Sequence, residues 1–167
     1  MTLCKKIEIS SESARHLIGK GGRNLYLVNA LLEPGHVILQ TKEKIVSEDR
    51  IDYVHQCAEL ELHGPCENHN WCKKALRIVR SARRGGIIKW FDRWNRQKFN
   101  TNTEQKWLKK IRNWEHCTDC KVEQLQIPYK GESYEVWLIL ENSRSSHLEK
   151  AIDKIGKCIH KRFKILT

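Results

Sequence analysis

Nowhere in this chain do about 18 apolar residues run together, so no segment is long enough to span a bilayer as a helix. Met1 is followed by Thr-Leu-Cys-Lys-Lys and an alternating, charged run rather than the apolar core of a signal peptide, and neither secretion nor membrane insertion is expected. Proline is scarce, at 3 of 167 residues. With 40% hydrophobic and 31% charged residues, that scarcity excludes a disordered tail, a collagen-like repeat and a mucin-like stalk. No nucleophile elbow, Walker loop, HExxH or spaced carboxylate cluster occurs, so no catalytic residues are assigned and an enzyme is not expected. The 7 cysteines form an odd set without the spacing of a disulfide framework. Free, mostly buried thiols in a reducing compartment, cytoplasmic and/or nuclear, are the expectation.

Two arrays have metal-ligand residue types: His63, Cys66, His69 and Cys72 at every third position, and Cys117-x-x-Cys120 beside His116. The first runs from a strand end through a turn into a helix, which spreads its side chains. The second lacks a partner pair, so neither a metal nor a cofactor is expected.

What the chain has in excess is positive charge. Lys and Arg number 31 against 20 Asp and Glu, for a formal +11, which favours a polyanionic partner such as nucleic acid or an acidic membrane surface. Fourteen basic and two acidic residues lie between Lys73 and Arg112, leaving the flanks close to neutral. The run reads either as a partner surface or as solvated helix faces.

Hydropathy patterning orders the first half. Ile7 and Ile9 alternate with polar residues as a short strand, and Ser11 or Ser13 caps a helix carrying Ala14, Leu17 and Ile18. Gly19-Lys20-Gly21-Gly22 stops it, and Leu25, Val28, Leu31 and Leu32 recur at helical spacing as far as Pro34-Gly35. Val37 to Leu39 form a strand, Lys42 to Asp52 read as a polar variable loop, and Ala58, Leu60 and Leu62 alternate as another strand. Gly64-Pro65 turns the chain into a helix with Trp71, Ala75, Leu76, Ile78, Val79 and Ala82 on one face, ending at a left-handed cap in Gly85-Gly86. The length permits one ordinary domain or two small ones.

Leu17-Ile18-Gly19-Lys20-Gly21-Gly22-Arg23-Asn24-Leu25, followed by Val28, Pro34-Gly35 and Val37-Ile38-Leu39, resembles the core signature of the type I KH (hnRNP K homology) domain. The resemblance covers roughly residues 3 to 84. It implies an α+β fold in the order βααββα and a G-x-x-G loop that clamps single-stranded RNA, with single-stranded DNA a close alternative. The chemistry is intelligible from the residues: glycines let phosphates approach the backbone, the helix starting near Arg23 points its positive end at them, and Lys20 and Arg23 add charge. A turn alone would need no basic residue there. By resemblance, Ile18, Leu25, Val28, Val37 and Leu39 wall a hydrophobic groove beside Gly19, Lys20, Gly21, Gly22 and Arg23, while Arg83, Arg84 and Lys89 add contacts that do not read sequence. Packing in the core and lining the groove are compatible for Leu25, Val28 and Val37. Glu33-Pro34-Gly35 departs from the family's usual polar turn.

The second half reads as a helix around Trp107 to Trp114, strands at Val122–Leu125 and Tyr134–Leu140, and a last helix through Leu148, Ile152, Ile155 and Ile159. Trp90, Phe91, Trp94, Phe99, Trp107 and Trp114 stand among basic residues, a pattern that serves base stacking or, at helical spacing, a core. With Ile87 to Phe91 as a strand and Arg93 to Phe99 as a helix, the segment is similar to a second KH-like domain whose loop position holds Asn100-Thr101-Asn102-Thr103 and no G-x-x-G. Such repeats accompany loop-bearing ones in Bicaudal-C-like proteins; a helical extension is the competing reading. The expected organisation is 1–86, a KH domain with the loop, and 87–167, a KH-like domain without it. Single-stranded RNA is the expected partner, and the second domain is expected to hold a protein partner or a second copy if the chain is instead a scaffold.

Overall fold

The computed structural model describes residues 2–92, 109–116, 120–141, 149–154 and 157. The protein is α+β, with two compact units, Met1–Arg84 and Gly85–Thr167. The division falls two residues before the expected one because the Gly86 carbonyl accepts the Ile139 amide at 2.7 Å, which ties Gly86 to the second sheet.

In the first unit the elements are β1 (Thr2–Ser10), α1 (Ser11–Ile18), a 3-10 turn (Lys20–Gly22), α2 (Arg23–Leu32), β2 (His36–Glu48), β3 (Ile51–Gly64) and α3 (His69–Arg83). The antiparallel sheet has the order β1-β3-β2. Ala58, Leu60 and Leu62 are buried while Glu59, Glu61 and His63 between them are half-buried, so one face of β3 meets the core. Leu17, Leu27, Val28, Leu32 and Ile78 close over that face from the three helices, each contributing about 1.5–3 kcal/mol by leaving water. The other face carries an ion ladder, with Lys6 on Glu59 at 3.1 Å, Lys44 on Glu8 at 3.6 Å, and Lys42 bonded to Glu59.

Local capping departs slightly from the sequence reading. Ser10, rather than Ser11 or Ser13, caps α1 by accepting the Ser13 amide at 3.1 Å. Asn68 does the same for α3 through the Trp71 amide. The Trp71 ring lies over Gly35 and Gly64, and a Cβ on either glycine would meet it at 2.2 Å. Its indole N–H donates to the Leu32 carbonyl at 2.9 Å, which pins α3 to the end of α2.

Two expectations are corrected. Lys42 to Asp52 is not a loop: β2 and β3 continue as a hairpin to a two-residue turn at Asp49-Arg50, both with positive φ. Its polar composition hides the strand because little of it packs on the core. Nor are all thiols free, since Cys4 and Cys66 form a disulfide across a separation of 62 residues. The bulge at Leu3/Lys5 and the turn after Gly64 bring the two together, which spacing alone does not reveal. Cys57 and Cys120 are buried and Cys72 is half-buried, and none of the three is in a disulfide.

The second unit contains β4 (Ile87–Asp92), β5 (Cys120–Tyr129) and β6 (Glu132–Glu141), with helical residues at 109–116 and 149–154. Its sheet order, β4-β6-β5, repeats that of the first unit: the last strand is central and antiparallel to both neighbours. Val136, Leu138 and Ile139 are buried there. The stretch expected as a helix at Arg93 to Phe99 and the Asn100 to Thr103 position lie outside the described residues. No described helix is long and apolar enough to cross a membrane.

Candidate nucleic-acid interface

The link between α1 and α2 is built from backbone conformations that favour glycine. Gly19, Gly21 and Gly22 have φ of 71°, 65° and 78°, the left-handed region in which an L side chain is strained. Gly19 ends α1, donating its amide to the Arg15 carbonyl at 2.9 Å, and a Cβ there would strike the Asn24 side chain at 2.5 Å. Asn24 is held in place by donating to the His16 carbonyl at 2.9 Å, a bond that fastens the start of α2 to the end of α1. Gly21 and Gly22 differ in kind. Nothing lies within 4 Å of where their Cβ atoms would be, so a ligand can approach the backbone at both.

Charge accompanies the opening. Lys20 is exposed and, among the described residues, has no ion-pair partner. Arg23 is half-buried at the first residue of α2, whose first turn has no acidic side chain to offset the positive end of the helix. Open backbone beside a lysine and an arginine is chemically suited to an anion.

The apolar residues expected around the loop divide by depth. Ile18, 37% exposed, closes α1 just before the loop, and Leu25 is half-buried on the first turn of α2 after it. Leu39 is half-buried on β2. Val28 and Val37 are buried in the core, so they support the surface from beneath and do not themselves face solvent. The Val37 amide donates to the Asn29 side chain at 2.8 Å, which locks β2 against α2. Tyr26, 43% exposed on α2, lines a shallow depression with Asn29, Pro34 and His36.

Of the auxiliary basic residues, Arg83 is placed away from the loop. Arg83 joins Lys5 and Arg80 around a small trough between β1 and α3 that no loop residue lines. Arg84 ends α3, its amide donating to the Ser81 carbonyl at 3.2 Å. Lys89 belongs to β4, and its side chain lies outside the described residues. The histidine and cysteine series also scatters: His63 stacks on His36 with ring centroids 5.3 Å apart, Cys66 is bonded to Cys4, and His69 is exposed at the start of α3. Among the described residues no three metal-ligand side chains surround a common point.

Three ionisable groups on β2 and β3 are shifted, Tyr53 upward through its hydrogen bond to the Glu48 carboxylate. The Lys42 hydrogen bond, with Lys6 assisting, holds the Glu59 carboxyl below its ordinary value of 4.5, and the same bond raises Lys42. No model of a known protein family matches this chain, and no curated protein matches it.

Proposed function

We propose that the first unit is a type I KH domain and that the protein binds single-stranded RNA without catalysing a reaction. The observation that carries the reading is the α1–α2 link, where two glycine positions open to solvent lie between Lys20 and Arg23 at the start of a helix whose first turn carries no acidic side chain. Half-exposed apolar side chains at Ile18, Leu25 and Leu39 give bases a surface to rest on while the loop holds the backbone. The order βααββα and the central position of β3 support the same reading. Arg83, Arg84 and Lys89 would then add contacts that do not discriminate sequence.

The second unit, in this reading, is a KH-like repeat without the loop. The recurrence of the strand order, first-third-second, is the specific observation in its favour. Lacking G-x-x-G, it would bind a protein partner or a second copy rather than phosphates. The test is selection from a randomised single-stranded RNA pool on the full chain, repeated with DNA of the selected sequence. Enrichment of a short single-stranded motif, lost when the glycine loop is altered, is the expected result. A pool that stays random defeats the RNA reading, and equal binding of the DNA transfers it to single strands in general.

A further inference from the structure

The hairpin formed by the distal parts of β2 and β3 is an arm. Pairing of β1 with β3 stops at Ser10↔Cys57, so from Glu43↔Gln56 to Glu48↔Ile51 the two strands pair only with each other. An isolated two-stranded ribbon is marginal in water, and its unpaired edges are templates for further pairing. The arm also holds Ile45, 72% exposed, its cross-strand neighbour Val54, 58% exposed, and the exposed Ile51 and Tyr53. By alternation Ile45 and Val54 share one face of the ribbon, where contiguous apolar exposure marks an interaction surface, and Ile51 and Tyr53 lie on the other.

The charge order along the outer edge of β2 says what fits it. Lys42, Glu43 and Lys44 precede the apolar pair Ile45-Val46, and Ser47, Glu48 and Asp49 follow it. A strand with this order is complementary to itself when turned antiparallel. A two-residue turn joins its flanking residues, here Glu48 and Ile51, by hydrogen bonds. By antiparallel alternation, Ser47, Ile45 and Glu43 then turn their backbone groups to the free edge. Centring a second strand on Ile45 pairs those groups and sets Lys42 opposite Glu48 of the second copy, twice by symmetry. Moving the centre one residue toward Val46 sets Lys44 opposite Glu48 but also Glu43 opposite Asp49 and Lys42 opposite Arg50, and moving it toward Lys44 sets that lysine against itself. One register therefore satisfies both the backbone and the charges. It also lines up Ile45 and Val54 of both copies on one face.

We propose that the β2–β3 arm is a self-association site, through which two copies of this chain join edge to edge as a four-stranded antiparallel sheet centred on Ile45. This stands independently of the RNA reading, since it uses neither the glycine loop nor the second unit.

Sedimentation of the full chain over a concentration series tests it. The wild-type chain should show a reversible monomer–dimer equilibrium. Ile45→Lys, which sets two ammonium groups opposite each other, should leave only monomer. Lys42→Glu and Glu48→Lys should each weaken dimerisation by roughly tenfold, because each turns two attractive pairs repulsive. Mixing those two variants should restore it, as every facing pair in the mixed dimer is then of opposite sign, and only contact between chains produces that recovery. Should a variant fail to fold, Ile45→Cys supplies a gain of signal: mild oxidation should cross-link two copies through the introduced thiols beyond the wild-type background. A wild-type monomer at every concentration, a dimer that survives Ile45→Lys, no recovery on mixing, or no added cross-link overturns the proposal.

Discussion

Replacing Lys20 and Gly21 together by aspartate should remove RNA binding and leave the fold standing. Gly21 sits at φ 65° with open space over it, so an added side chain strikes nothing and bears only the cost of left-handed backbone, about 1 kcal/mol for aspartate. A unit of ordinary stability, about 5–15 kcal/mol, absorbs that. Binding has no such reserve. Lys20 is exposed, and a hydrogen bond from its ammonium to a phosphate is worth about 1.5–3 kcal/mol. Losing it and placing two carboxylates where phosphates approach should cost roughly 3 kcal/mol or more, at least about 100-fold in affinity. The assay is fluorescence anisotropy with an RNA selected on the wild-type chain, accompanied by a thermal melt. Unchanged affinity in a correctly folded double variant refutes the loop as the phosphate clamp.

Neutralising Arg83, Arg84 and Lys89 should shallow the dependence of affinity on salt by up to about one log-log unit per phosphate contact removed, and an unaltered slope shows those charges to be a solvated face. Gly64→Ala should lower stability by about 1–3 kcal/mol, because its Cβ would meet the Trp71 ring at 2.2 Å; an unchanged melting temperature would refute the packing. For Glu59, whose folded carboxyl is held below 4.5 by Lys42, the associated stability is present above the unfolded value and disappears as pH falls through the folded one. Glu59→Gln should therefore flatten the acid side of a pH-dependent urea-denaturation profile, and a profile as steep as the wild type's would rule the pair out.

What the sequence determined by itself is what neighbouring residues decide among themselves. The glycines between α1 and α2 announce a sharp link because positive φ is a property of each residue alone, and Ile7, Ile9, Leu60 and Leu62 announce strands because alternation is local. The helix boundaries followed from the same short range, with the α1 cap misplaced by one residue at Ser10. Tertiary structure decided what needs two distant segments at once. Cys4 meets Cys66 only after β1 has paired with β3, and Trp71 finds Gly35 and Gly64 only when α3 has folded back over the sheet. The segment from Lys42 to Asp52 is strand because β2 and β3 satisfy each other's backbone across the hairpin, a cross-strand bond that polar composition cannot display. Burial was assigned the same way: Val28 and Val37 passed beneath the surface while Ile18, Leu25 and Leu39 stayed partly exposed, since depth depends on what the rest of the chain places above a residue.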